Sequence, residues 1–100
     1  SKGIDLESHF RALVGQTEEM HDCKVSFVSD TTSHDISGRM AGFEYKQMFA
    51  GSSMYLRSFL LVFHDSGYWI KFRFTHPSQH SQAAAPYLDE LVNEIIGQLK

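Results

Sequence analysis

Arg57, Gln47 and His76 are the side chains whose types and spacing point most directly to ligand binding. The alternation of apolar residues predicts that Arg57 and Gln47 lie together at one end of the core face of a sheet, with His76 near the edge. A half-buried guanidinium needs a negatively charged partner. That partner is a carboxylate of the C-terminal helix, such as Asp89 or Glu94, or a bound anion, and the sequence favours the internal salt bridge.

The histidines and the single cysteine are weaker candidates for chemistry. His76 and His80 have a spacing that suits zinc on a helix, but Pro77 between them predicts a turn. Cys23 is expected to be a small, buried apolar residue. The sequence contains no nucleophile elbow and no glycine-rich phosphate loop. We therefore predict no catalytic residue, no metal site and no cofactor.

A second candidate surface is the outer face of the predicted sheet. Trp69, Lys71 and Arg73 alternate with apolar residues that are predicted to face the core. With Leu60 and Val62 of the preceding strand they make a mixed face, which we interpret as a protein interface. Nine Lys and Arg residues against twelve Asp and Glu give a net charge of −3, which argues against nucleic-acid binding.

The elements that position these residues follow from hydrophobic periodicity. The predicted order is a helix from about Ile4 to Glu19, a strand Lys24–Val28, a polar loop or loosely paired ribbon over 29–38, strands Gly42–Phe49, Met54–His64 and Tyr68–His76, and a helix Gln82–Leu99. This order predicts an α+β fold: an antiparallel four-stranded meander sheet with an N-terminal helix and a long C-terminal helix packed on one face.

The alternation of apolar and polar residues along each strand predicts which residues of neighbouring strands pair. Pairing Phe63 with Tyr68 aligns the aromatic residues of the last hairpin, and requires a loop of two or four residues. Pairing Phe43 with Leu61 does the same for the hairpin before it, and requires a loop with an odd number of residues.

The C-terminal helix has the clearest amphipathic pattern in the chain. Its apolar residues at helical spacing are Tyr87, Leu88, Leu91, Val92, Ile95, Ile96 and Leu99. We expect all of them to pack on the aromatic face of the sheet.

Length and composition indicate one folded domain over residues 1–100. Hydrophobic residues make up 42% of the chain, which is enough for a packed core. The sequence starts at Ser1 without a leader, so we expect a fragment of a longer chain or a processed form. The longest apolar run, Phe59–Phe63, is much too short to cross a bilayer, so no transmembrane segment is predicted.

Two segments carry a resemblance to known proteins. Gly42-Phe43-Glu44-Tyr45, and the run Tyr68–Pro77 with its Lys-x-Arg-x-Thr-x-Pro pattern, resemble uncharacterised bacterial envelope proteins. Residues 42–99 are also similar to the second half of the Mog1/PsbP-like fold. The resemblance implies a periplasmic accessory or interaction domain and carries over no catalytic residue.

These patterns predict a non-enzymatic binding or protein-interaction domain whose partner is another protein or a second copy of the chain. The alternative is a domain that binds a small molecule or anion, or acts on one, between the sheet and the C-terminal helix near Arg57.

Overall fold

The computed structural model describes residues 5–65 and 67–99. Its elements, in chain order, are α1 (Leu6–His21), β1 (Val25–Ser33), β2 (Ile36–Phe49), β3 (Ser52–Asp65), β4 (Tyr68–Pro77), a 3₁₀ turn (Ser78–His80) and α2 (Ser81–Leu99). The four strands form one antiparallel sheet in the order β1-β2-β3-β4. The predicted α+β meander with a helix at each end is therefore confirmed.

The two helices lie on opposite faces of this sheet. Phe10 of α1 packs with Phe43 and Val62 in one buried cluster. Ile96 of α2 packs with Phe63 in a second cluster. The faces are called the α1 side and the α2 side below.

The ends of α1 are fixed by local hydrogen bonds. The Asp5 carboxylate accepts a hydrogen bond from the Ser8 backbone N–H at 2.7 Å, which caps the helix and lowers the pKa of Asp5. At the other end Asp22 adopts a left-handed conformation and its N–H bonds to the Glu18 carbonyl. The predicted helix start, Ile4, lies outside the described residues.

Residues 29–38, for which the sequence leaves a loop and a loosely paired ribbon open, form a paired ribbon. β1 and β2 pair through this segment, with Ser33 opposite Ile36. His34 and Asp35 between them have φ values of 50° and 67°, the backbone of a type I′ turn. His and Asp tolerate this left-handed region better than most residues, so a two-residue hairpin forms here.

The hairpin between β2 and β3 corrects the predicted register. Phe43 lies opposite Ser58, not Leu61. Ala50 and Gly51 form a two-residue turn with φ values of 48° and 83°, so the loop is even where the prediction required an odd one. The change of parity moves Phe43 to the α1 side and leaves Leu61 on the α2 side.

In the last hairpin, the residues of β3 and β4 lie on the predicted faces of the sheet, but the pairing is shifted by two residues. Phe63 lies opposite Ile70, two residues from its predicted partner Tyr68. Asp65 pairs with Tyr68, which fits the two-residue alternative for the loop, although Ser66 itself lies outside the described residues.

Candidate binding surfaces

Arg57 and His76 are neighbours on the α2 side. They are directly opposite each other on β3 and β4, and Glu44 of β2 lies opposite Arg57 on its other flank. Both side chains are half-buried. Nε of Arg57 and Nε2 of His76 are buried without a hydrogen-bond partner, while Nδ1 of His76 donates to the Pro77 carbonyl oxygen at 2.9 Å. The structure therefore places two unsatisfied polar groups side by side.

Gln47 does not belong to this pair. It lies opposite Met54 on the α1 side of the sheet and is exposed, so its predicted position beside Arg57 is wrong. The cause is the two-residue turn at Ala50–Gly51, which moves odd-numbered positions of β2 to the opposite face from odd-numbered positions of β3.

The salt bridge expected for Arg57 is also absent from the described part of the chain. The ion pairs found there belong to Arg11 and Arg39. Neither Asp89 nor Glu94 of α2 reaches the Arg57 guanidinium, whose one described contact is with the Phe59 ring, 6.0 Å from its centroid. A buried donor without a partner costs about 1–3 kcal/mol, so this arrangement has no structural benefit of its own.

A cavity opens beside Phe59 between the sheet and α2. It measures about 220 Å³ and is lined by Met40, Phe59, Leu61, Ala85, Leu88 and Asp89. The Phe59 ring lies 5.9 Å from the His76 ring, centroid to centroid, and thus connects the cavity with the polar pair. An apolar space with a few polar groups at its margin is typical of small-ligand sites.

The predicted interface on the other face is largely covered by α1. Leu60 is 3% exposed and Val62 is fully buried, so neither can contact a partner, and the prediction is wrong for both. Trp69 is half-buried between two imidazole rings, His9 at 4.4 Å and His64 at 4.0 Å. The interface was predicted wrongly for Leu60 and Val62 because the sequence did not show that α1 covers this face.

The two basic residues of the same predicted interface differ from each other. Arg73 donates from Nη2 to the hydroxyl of Thr17 at 2.6 Å, which ties β4 to α1. Lys71 is exposed, on the α1 side of the edge strand β4. An exposed lysine at this position protects an edge strand from pairing with another sheet.

The C-terminal helix α2 exposes apolar side chains that the sequence predicted to be covered. Of the seven apolar residues of α2 that were predicted to pack on the sheet, only Val92 and Ile96 are buried, whereas Tyr87 is 75% exposed and Leu91 42% exposed. We call Ala84, Tyr87, Leu91 and Ile95 the open stripe of α2. At 100° per residue, the seven positions span about half the circumference of the helix, which is wider than one sheet can cover. The width of this apolar stripe could have indicated from the sequence that part of it is exposed.

Cys23 lies at the margin of the α1-side core and is half-buried. Burial raises the pKa of its thiol, and the carboxylates of Glu18 and Asp22 raise it further. The thiol is thus in its neutral, unreactive form at neutral pH.

The described residues contain no cluster of three or more His, Cys, Asp or Glu that could hold a metal ion. His80 ends the 3₁₀ turn that follows Pro77, so it does not share a helix face with His76. Within residues 5–65 and 67–99, neither helix is long and apolar enough to cross a membrane.

Comparison with known proteins gives no relative: no protein-family model, curated protein or solved structure matches this chain.

Proposed function

We propose that this chain is a protein-interaction module that associates with a second copy of itself through the open stripe of α2. The observation that carries the proposal is the exposure of Tyr87 and Leu91 on a helix that is otherwise anchored by buried apolar residues. A contiguous apolar surface with an exposed tyrosine is typical of an interface between proteins.

The spacing of the stripe supports a helix–helix contact. Ala84, Tyr87, Leu91 and Ile95 follow one another at steps of three, four and four residues, which places them on one side of the helix. In an antiparallel pair that crosses at Leu91, Tyr87 of one copy meets Ile95 of the other, because both lie four residues from Leu91. Such a two-fold contact is self-complementary.

Charge gives this association a recognisable salt dependence. Glu90 and Glu94 border the open stripe and are exposed. Two copies therefore bring carboxylates together, and we expect added salt to strengthen the contact by screening their repulsion. A partner with basic residues would show the opposite dependence.

Light scattering over a concentration series tests the proposal. We expect the average mass to rise toward two copies between about 10 μM and about 1 mM protein, and to rise further when salt is increased from about 0.1 M to about 1 M. The double variant Tyr87→Ser, Leu91→Ser should remain monomeric. The matched control is Met20→Ser, which removes an apolar side chain that is 76% exposed on α1, and it should associate like the wild type. A wild-type chain that stays monomeric throughout contradicts the proposal.

The cellular location remains a prediction from the resemblance of residues 42–99 to envelope proteins. We propose the periplasm, where an accessory domain of this kind would act on or within a larger assembly.

A further inference from the structure

The row of polar residues at the open end of the α2 side has unmet bonding capacity. Among the described residues, nothing forms an ion pair or hydrogen bond with the guanidinium of Arg57. Glu44, directly opposite on β2, is exposed and makes no ion pair with it. The chain thus offers a nearby carboxylate and does not use it, which leaves Arg57 available to a carboxylate from outside.

The geometry around Phe59 joins this row to the cavity. The Phe59 ring lies 6.0 Å from Cζ of Arg57 and 5.9 Å from the His76 ring, and the same ring lines the cavity. A molecule that packs on Phe59 therefore places its polar end next to both groups. The planar fork of an arginine matches a carboxylate with two parallel hydrogen bonds.

The cavity limits the size and orientation of the apolar end. Its volume of about 220 Å³ is below the range of about 300–1,000 Å³ that is usual for drug-sized ligands. Its walls are mainly apolar, from Met40, Leu61 and Leu88. Asp89 on α2 carries the negative charge that lines it, so an anionic head is repelled there and is directed towards Arg57.

We propose that Arg57, His76 and the cavity beside Phe59 bind a small amphipathic carboxylate, with the carboxylate on Arg57 and a short aliphatic or aromatic body between the sheet and α2. This site is distinct from the open stripe, and either can exist without the other.

Titration of the ¹⁵N-labelled full chain with octanoate and 1-octanol tests the site by NMR. The two probes share an apolar chain and differ in the head group. We expect octanoate to shift the amide signals of residues around Phe59 and to bind about tenfold or more tightly than 1-octanol. Equal affinity for the two, or no shift with octanoate up to about 10 mM, overturns the proposal.

Variants separate the two halves of the site. Arg57→Gln should weaken octanoate binding about tenfold and leave 1-octanol binding unchanged. The matched control is Lys46→Gln, which removes an exposed cation one row along the same face, near the ring of Tyr55, and should not change octanoate binding. Leu88→Trp fills the cavity and should abolish binding of both probes.

Circular dichroism melting shows whether each variant is folded. If Arg57→Gln does not fold, Leu88→Trp provides an independent test of the site. Octanoate binding that survives in folded Arg57→Gln overturns the assignment. The double variant Tyr87→Ser, Leu91→Ser should bind octanoate normally, so failure of this site and failure of self-association are distinguishable.

Discussion

The two faces of the sheet differ in the partners of their arginine side chains. On the α1 side, Arg39 contacts Asp30 at 2.6 Å and Glu7 at 3.1 Å, and Arg73 bonds to Thr17. Two atoms there have no hydrogen-bond partner: Nε2 of His9, which is buried against Trp69, and Nε of Arg39, which has the Glu7 carboxylate 3.1 Å away as an ion-pair partner. On the α2 side, Nε of Arg57 and Nε2 of His76 are buried without a partner, and the helix exposes Tyr87 and Leu91 of the open stripe.

This difference indicates a division of roles. Polar groups that bond within the chain stabilise the fold, whereas unsatisfied ones lower its stability and persist where they have another use. We propose that the α1 side is the structural face and that the α2 side, which carries the Arg57–His76 pair and the open stripe, is the binding face.

The largest difference in stability is expected between two aromatic side chains, one in the α1-side core and one on the open stripe. Phe43→Ala removes a fully buried ring from the α1-side core and should lower the free energy of unfolding by about 3–5 kcal/mol. Tyr87→Ala, on the open stripe, should change it by less than about 0.5 kcal/mol. Urea denaturation of both variants measures this, and a large loss for Tyr87→Ala would mean that the stripe is part of the core.

Gly38 of β2 lies where the α2 side is closed around Phe63, away from its open end near Arg57. A Cβ at Gly38 would lie 2.6 Å from the Phe63 ring and 2.7 Å from the Val62 carbonyl oxygen. Gly38→Ala should therefore destabilise the fold by about 1–3 kcal/mol. Gly15→Ala in α1, where nothing lies within 4 Å, should stabilise it by up to about 1 kcal/mol. The midpoint temperature of thermal unfolding of both variants tests this, and a shift in the same direction for both would contradict the prediction.

The thiol of Cys23 tests how closed the α1 side is. Its raised pKa means that the folded chain holds the proton more tightly than the unfolded chain, so stability should fall as the pH rises past the ordinary thiol range near about 8.5. For the same reason iodoacetamide should alkylate the native chain more slowly than the urea-unfolded chain at the same pH. Native alkylation as fast as that of the unfolded chain would show an open, ionised thiol.

The order of the elements could be predicted from the sequence because periodicity determines it. The helix predicted from Gln82 to Leu99 begins only one residue earlier, at Ser81. The pairing of β2 with β3 could not be predicted correctly, because Ala50–Gly51 forms a two-residue turn where an odd loop was predicted. The turn at His34–Asp35 was not located either, since that segment was left open as a loop or a ribbon. A turn shorter by one residue changes the face of a whole strand.

The candidate site was predictable in part for the same reason. Arg57 and His76 lie on the same face as expected, since the faces of β3 and β4 were assigned correctly, but their direct pairing was not predicted. Gln47 was misplaced by the parity of the preceding hairpin. The open stripe was missed because the sequence shows that a helix is amphipathic but not how much of its apolar surface is covered.

Two matched substitutions test the division between structural and binding faces most directly. Arg73→Met removes a satisfied bond to Thr17 and should lower the free energy of unfolding by about 0.5–1.5 kcal/mol. Arg57→Met removes a guanidinium with an unsatisfied buried donor, and should leave the free energy of unfolding unchanged or raise it. Urea denaturation of the two variants alongside the wild type gives both numbers. A loss for Arg57→Met as large as that for Arg73→Met would show that Arg57 is structural and would contradict the account.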